Sequence, residues 1–221
     1  TILLLIIVKD GPIKPTKQTN QTLLHTLRSI IKRPTIWYIS LYGMLMFTPF
    51  LILSNLWGPM FLSKAYNLSR IAATSIFQSL FIGFIIGAPF FGWLSDKRKV
   101  RKNPLFFSTC ASFIIMTLLL FLPIHNHAYI ICVIGLLGFF TSGFLPTFSI
   151  IKEVTPPEIH GAALGFMNTM NMLGAPIGMT LCGFLLDFFW QGNMLNGNRI
   201  YTAKINKHTN TTRVRIPHIG K

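Results

Sequence analysis

Long apolar blocks alternate with short polar clusters along the chain, and this alternation decides the architecture. Residues 34–63, 71–95, 103–151 and 159–186 contain no Lys, Arg, Asp or Glu. A helix of about 20 mainly apolar residues crosses about 30 Å of hydrocarbon, so each stretch can hold a membrane span. The third is long enough for two, and Pro123-Ile124-His125-Asn126-His127 divides it at a turn. The pattern predicts five complete transmembrane helices, at residues 36–62, 71–94, 105–122, 128–151 and 162–186, in one bundle over 36–186. The opening run, residues 1–8, predicts the last two turns of a sixth helix. It lacks a basic n-region and a small-residue cleavage site, unlike a signal peptide.

Insertion energetics agree. The second span holds twelve Ile, Leu and Phe residues, which together favour insertion by roughly 5 kcal/mol before Gln78, Pro89 and the glycines subtract from it. A central Lys would cost about 3 kcal/mol, and none is present. A β-barrel would need short alternating strands instead of unbroken apolar runs. The fold class is an all-α membrane protein.

Composition sharpens this reading. Of 221 residues, 51% are hydrophobic and 11% charged, and 20 Lys and Arg against 5 Asp and Glu give a formal net charge of +15. Soluble domains carry about 25% charged residues, and a nucleic-acid binder gathers its cations on a folded polar face. Here the cations sit between apolar runs, which excludes a soluble enzyme and argues against nucleic acid as a partner. The lipid bilayer is the partner expected instead.

The cations also orient the chain. Lys9, Lys14, Lys17, Arg28, Lys32 and Arg33 precede the first span; Lys97, Arg98, Lys99, Arg101 and Lys102 follow the second; Lys152 follows the fourth. The alternate loops hold only Lys64 and Arg70. Positive-inside asymmetry therefore places residues 9–33, 96–102 and 152–160 in the cytoplasm. The tail, 187–221, breaks the rule: it should be external, yet it carries Arg199, Lys204, Lys207, Arg213, Arg215 and Lys221. Gly192, Asn196 and Gly197 suit an external loop, and beyond residue 203 no periodicity remains. The expectation is that a closing helix has been lost here, through a shift of reading frame near Lys204.

One loop carries a specific resemblance. Gly92-Trp93-Leu94-Ser95-Asp96-Lys97-Arg98-Lys99-Val100-Arg101-Lys102 resembles the signature G-x-L-x-D-R-x-G-R-R/K of the major facilitator superfamily, with Lys97, Lys99 and Val100 departing from it. Physically, Gly92 would admit a neighbouring helix at the rim and Asp96 would accept from a helix N-terminus. Arg98 and Arg101 would pair with carboxylates or lipid phosphates. The turn Glu153-Val154-Thr155-Pro156-Pro157-Glu158-Ile159-His160-Gly161 is similar to the family's E-x-x-P-x-x-x-R-G, with His160 in place of Arg and Gly161 opening the next helix against a close neighbour. Residues 9–35 resemble the family's linker between its two six-helix lobes. Within them, Leu23, Leu24, Leu27, Ile30 and Ile31 form an interfacial amphipathic face. The resemblance covers residues 1–203. It implies the carboxy-terminal half of a secondary transporter with its amino-terminal half missing, moving a small-molecule substrate across a bacterial inner membrane by alternating access.

In such a lobe, polar residues at mid-span are candidates for the translocation path: Asn55, four residues before Pro59; Gln78, sharing a face with Ser75 and Ser79; Thr141 beside Ser142; and Asn168 with Asn171, three apart. Interhelical hydrogen bonding is the plain alternative for each. Gly83 with Gly87, and Gly174 with Gly178, have GxxxG spacing, and Gly138 with Ser142 is a related pair, which predicts close helix packing. Pro176 marks a hinge. No acidic residue lies inside a span, so this half is not expected to carry a proton relay. His125 and His127 lack further metal ligands, no P-loop occurs, and no cofactor is called for. Cys110, Cys132 and Cys182 are expected as apolar fillers, and Phe139 with Phe140 as lipid contacts. Two alternatives stay open here: a non-transporting product of a truncated gene, and a structural or regulatory membrane protein. No catalytic pair occurs within the spans.

Overall fold

The computed structural model describes residues 23–65, 68–98, 101–121 and 126–188, with strand segments at 194–195, 198–201 and 214–215. The opening run 1–8, most of the linker and the region around Lys204 lie outside the described residues.

Helix α1 (Leu23–Ile31) leads through Lys32 and Arg33 into α2 (Pro34–Ile52). Proline forces the preceding residue into extended backbone, and Arg33, at φ −98° and ψ 102°, starts the new helix with Pro34 in the first turn. Helix α2 passes into a π-helical turn (Leu53–Trp57) and then α3 (Gly58–Ala65). At this turn the Gly58 N–H donates to the Leu53 carbonyl, five residues back. Pro59 has no N–H to restore the normal ladder, and Ser54 Oγ and Asn55 Nδ2 both donate to the Leu51 carbonyl, at 3.3 and 2.7 Å.

Helices α4 (Arg70–Arg98) and α5 (Lys102–Phe121) follow, then α6 (His127–Thr141), a 3-10 turn (Ser142–Phe144) and α7 (Pro146–Val154). Asn126 caps α6, its side chain accepting from the Ala128 N–H at 2.9 Å. A second 3-10 turn (Pro157–Ile159) leads to α8 (His160–Phe188). Among the described residues, four segments are long and apolar enough to cross a membrane: Pro34–Asn55, Arg70–Lys97, Lys102–Phe121 and His127–Val154. Helix α8, with 29 residues, is about 43 Å long at 1.5 Å per residue. The fourth span differs from the unbroken helix expected, because Pro146 forces a restart after the 3-10 turn.

Small residues set the packing. A Cβ on Gly83 or Gly138 would collide with the backbone carbonyl of Gly135 or Leu80, so α4 and α6 run in main-chain contact. One turn beyond Gly83, Gly87 is buried where α6 ends, and a Cβ there would collide with the Phe139 carbonyl and with Ser142 Oγ. Gly87 thus packs against the break in the fourth span, while α4 itself runs through it as continuous helix. Helix α8 packs along α2 in the same manner, with Gly174 against Thr48 and Met44, and Gly178 against Ile52. Gly143 leaves room for Ser108, bringing α5 onto the same break. Phe91 packs against Phe139 and Phe140, and Phe107 meets Phe140. Phe139 and Phe140 are therefore half-buried packing residues, not the lipid contacts expected.

One apolar cluster (Phe50, Leu53, Phe77, Leu80, Ile134 and neighbours) fills the interior, and a second (Ile30, Ile36, Ile151, Ile159, Ala163, Met167) closes the basic end. Outside, large apolar residues such as Phe106 and Phe113 are each 73% exposed. In water such a surface would be a liability; it is what a lipid-facing wall requires. Cys132 lies on that wall, exposed and not buried as expected, while Cys110 and Cys182 are half-buried. In the tail, β1 (Met194–Leu195) pairs antiparallel with β2 (Asn198–Tyr201), and β2 with β3 (Val214–Arg215). That replaces the plain loop expected there.

Candidate functional site

Helix geometry brings Ser95 and Asp96, in the last turns of α4, beside Arg101 at the start of the next segment. Glu153, in the last turn of α7, faces them from 52 positions further along the chain. Arg101 Nε donates to both carboxylate oxygens of Glu153 at 2.9 Å, and Nη2 donates to Oε1. Its Nη1 donates to Ser95 Oγ and to Asp96 Oδ1, each at 3.0 Å. A carboxylate at a helix C-terminus faces the negative end of the macrodipole, so Glu153 needs the cation that Arg101 supplies. The hydrogen bond that Arg101 donates to Glu153 raises its pKa above the ordinary value; desolvation opposes this, and the bond to Asp96 adds to the rise. The guanidinium stays charged at any working pH.

This network corrects the expectation for Asp96, whose partner is the Arg101 side chain and not a helix N-terminus among the described residues. It also brings Glu153, from the distant turn, onto the loop and engages Ser95, a loop residue to which sequence reasoning had given no role. Gly92 is corrected too: a Cβ there would meet nothing within 4 Å. Phe91 and Ser95, four residues apart, are the positions that α4 turns inward, so Gly92 faces away. The Arg98 side chain lies outside the described residues.

Beyond Glu153, the Pro156-Pro157 turn is closed by side chains. Thr155 Oγ1 donates to the Ile151 carbonyl at 2.7 Å, and His160 Nε2 lies 2.7 Å from the Thr155 carbonyl, in the tautomer that donates. Gly161, expected against a close neighbour, has open space around it.

The mid-span polar residues divide into two groups. Asn171 is 1% exposed, and its Oδ1 has no hydrogen-bond partner. A Cβ on Gly43 of α2 would lie 2.8 Å from that oxygen. Thr141 is buried at the end of α6 and Ser142 at the break, with Ser142 Oγ donating to the Phe139 carbonyl at 2.7 Å. Gly87 of α4 covers that hydrogen bond from the facing helix. These residues are inside the lobe. Asn55, Gln78 and Asn168 are exposed on it. Asn168 and Asn171 thus do not act as one face: a step of three residues carries one out of the bundle and the other into the α2 contact. Ser75 and Ser79 donate to carbonyls of their own helix. Pro176 is exposed, and α8 continues through it.

Exposed positions of α8 fall into two stripes. Gly161, Gly165, Asn168, Met172 and Pro176 form one, and Leu173, Ile177 and Phe184 belong to the other. The first holds the small Gly161 and Gly165 and the polar Asn168, with the apolar Met172 and Pro176 among them; the second is bulky and apolar, and exposed Thr169 and Thr180 lie between the two. Gly165, like Gly161, has nothing within 4 Å of a Cβ position.

The profile of the Major Facilitator Superfamily matches residues 52–195, well over half the chain. The chain belongs to the Major Facilitator Superfamily. With its long apolar helices it is an integral, multi-pass membrane protein. It is 36% identical over 115 residues to the multidrug resistance protein MdtG of Proteus mirabilis, covering 51% of this chain and 27% of that one. It is 27% identical over 172 residues to the membrane sensor protein UhpC of Salmonella typhimurium, covering 74% and 38%. The choline/ethanolamine transporter FLVCR1 of Felis catus is 26% identical over 179 residues, covering 75% and 32%. The chain thus spans between about a quarter and two fifths of each of these relatives' lengths. Their names describe multidrug resistance, membrane sensing and choline/ethanolamine transport.

Proposed function

We propose that this chain forms the carboxy-terminal lobe of a secondary transporter that moves a small organic solute across a bacterial inner membrane by alternating access. The observation that carries this reading is the double surface of α8. Bulky Leu173, Ile177 and Phe184 suit acyl chains. Exposing the Asn168 amide to hydrocarbon would cost several kcal/mol, so its stripe belongs against an aqueous path or a second lobe. Exposed Gly161 and Gly165 leave room for another helix to approach on that side. Asn55 is the second path candidate, held in a π-helical turn, a distortion frequent at functional sites.

In this reading the Arg101–Glu153–Asp96 network latches the α4–α5 loop to the end of the broken fourth span. The buried α2–α8 and α4–α6 contacts let the lobe move as a unit. With no carboxylate inside the spans, this lobe recognises its solute through amides, aromatic rings and backbone carbonyls. The names of MdtG and FLVCR1 make organic solutes the class to try first.

The test is ethidium efflux and choline uptake in cells producing the protein. Faster flux than in control cells for either probe, reduced by Asn168→Ala at equal membrane abundance, is the expected result. Unchanged flux for both, with solute binding retained, would replace transport by a sensing role of the kind UhpC's name describes.

A further inference from the structure

We propose that α1, with the aromatic pair that follows it, is a docking surface for anionic phospholipid headgroups at the basic end of the bundle. This inference is independent of whether the chain transports a solute. Ile30 is fully buried against Ile36, Ile151, Ile159, Ala163 and Met167, which fixes one side of α1 to the bundle. Trp37 locks the same junction: its Nε1 donates to the Ile31 carbonyl at 3.0 Å, and its ring meets Phe166 edge-on at 4.9 Å. With the helix held in this way, Leu27 and Ile31 remain outside, 47% and 56% exposed. At 100° per residue, Arg28 and Lys32 lie 40° apart on the helical wheel, and Arg28 is 60° from Ile31, so the two cations border that outward apolar stripe.

Charge identifies the occupant. Arg28, Lys32 and Arg33 are exposed, and none of them forms an ion pair with another described residue. No Asp or Glu occurs between Asp10 and Asp96. At the same end, Glu153 and Asp96 are both engaged by Arg101, and exposed Glu158, beside Ile159, leaves the three cations in excess. An apolar stripe flanked by free cations is the signature of a helix lying in the headgroup layer. Tyr38, 73% exposed at the start of the first span, stands where interfacial aromatic residues anchor to that layer. A bilayer already surrounds α2, so a membrane surface is the partner that α1 meets without any further encounter. Each cation near an anionic leaflet contributes on the order of 1 kcal/mol, a factor of about five in partitioning.

The experiment places a spin label at Leu27→Cys, or at His25→Cys on the polar side, in the full chain with Cys110, Cys132 and Cys182 replaced by Ala. The protein is reconstituted in nanodiscs of phosphatidylcholine alone or mixed with phosphatidylglycerol. Collision with oxygen and with a water-soluble nickel chelate reports the depth of the label. The expected result is that phosphatidylglycerol raises oxygen access and lowers nickel access at position 27 while position 25 stays open to nickel. R28Q, K32Q and R33Q each reduce the partitioning about fivefold, and R28K preserves it. Equal nickel access at position 27 in both lipids would overturn the proposal. So would shielding from both reagents in both lipids, which would mean that protein covers the face.

Discussion

Gly83 of α4 lies directly against the main-chain carbonyl of Gly135 on α6, with no space for a Cβ between them. The converse does not hold, since a Cβ on Gly135 would sit 3.5 Å from the Ser79 carbonyl, in ordinary contact. Two glycines in one contact therefore differ in what they tolerate. Gly83→Ala, Gly87→Ala and Gly138→Ala should each lose about 1–3 kcal/mol through forced separation of the helices. Gly135→Ala and Gly92→Ala should be neutral or slightly stabilising, because alanine is the better helix former. Thermal unfolding of the purified protein in detergent checks this, and equal losses at Gly83 and Gly135 would contradict it.

Across the other main contact, Gly43 and Asn171 should couple. Gly43→Ala presses a methyl group toward Asn171 Oδ1, at 2.8 Å, and Met167 Cε, at 3.2 Å, so it should destabilise by about 1 kcal/mol. Asn171→Ala removes an oxygen that is buried without a partner. In the double variant most of the cost of Gly43→Ala should disappear, with the Met167 contact remaining, giving a coupling of about 0.5–1 kcal/mol. Additive losses in the unfolding free energies would show that the two residues are not in contact.

The latch at the basic end is open to the same treatment. Glu153 is about half exposed while Arg101 is largely covered, so solvent screening limits their pairing. A double-mutant cycle of Arg101→Ala with Glu153→Ala should give a coupling of about 1 kcal/mol. Arg101→Lys should retain less than half of it, because one ammonium cannot reproduce the forked contacts to Glu153, Ser95 and Asp96. No measurable coupling at low salt would remove the latch from the account.

His160 should act through its donor and not its charge. His160→Ala leaves the Thr155 carbonyl short of a partner, at a cost of about 0.5–1.5 kcal/mol. His160→Gln, which keeps a donor, should lose less. The measurement is denaturation of both variants at one pH, and equal losses would mean that the ring's packing matters more than its hydrogen bond.

The spans were legible in the sequence because a charged residue inside hydrocarbon is so costly that the uncharged runs could hardly be anything else. The spacing of Gly83 with Gly87 and of Gly174 with Gly178 was legible as contact, though not which helix each would meet. What stayed hidden has one physical cause. In a membrane, lipid and protein interior are both apolar, so the hydrophobic pattern does not tell an inward face from an outward one. That is why Asn168 and Asn171 read as one face, why Thr141 read as path-lining, and why Cys132 and the Phe139-Phe140 pair came out reversed. Gly92 misled differently, since a motif position says nothing of whether its neighbour belongs to the same lobe. The Arg101–Glu153 pair joins distant segments, and the E-x-x-P turn with its free carboxylate was the one signal that could have suggested it.

That the helices cross the bilayer with the basic end in the cytoplasm is tested most directly by reporter fusions. One reporter is joined after Lys102, beside the Arg101 latch, and one after His127, at the opposite end of the bundle. The account predicts a cytoplasmic reporter at Lys102 and an external one at His127. Both reporters on one side of the membrane, or the reverse arrangement, would contradict it.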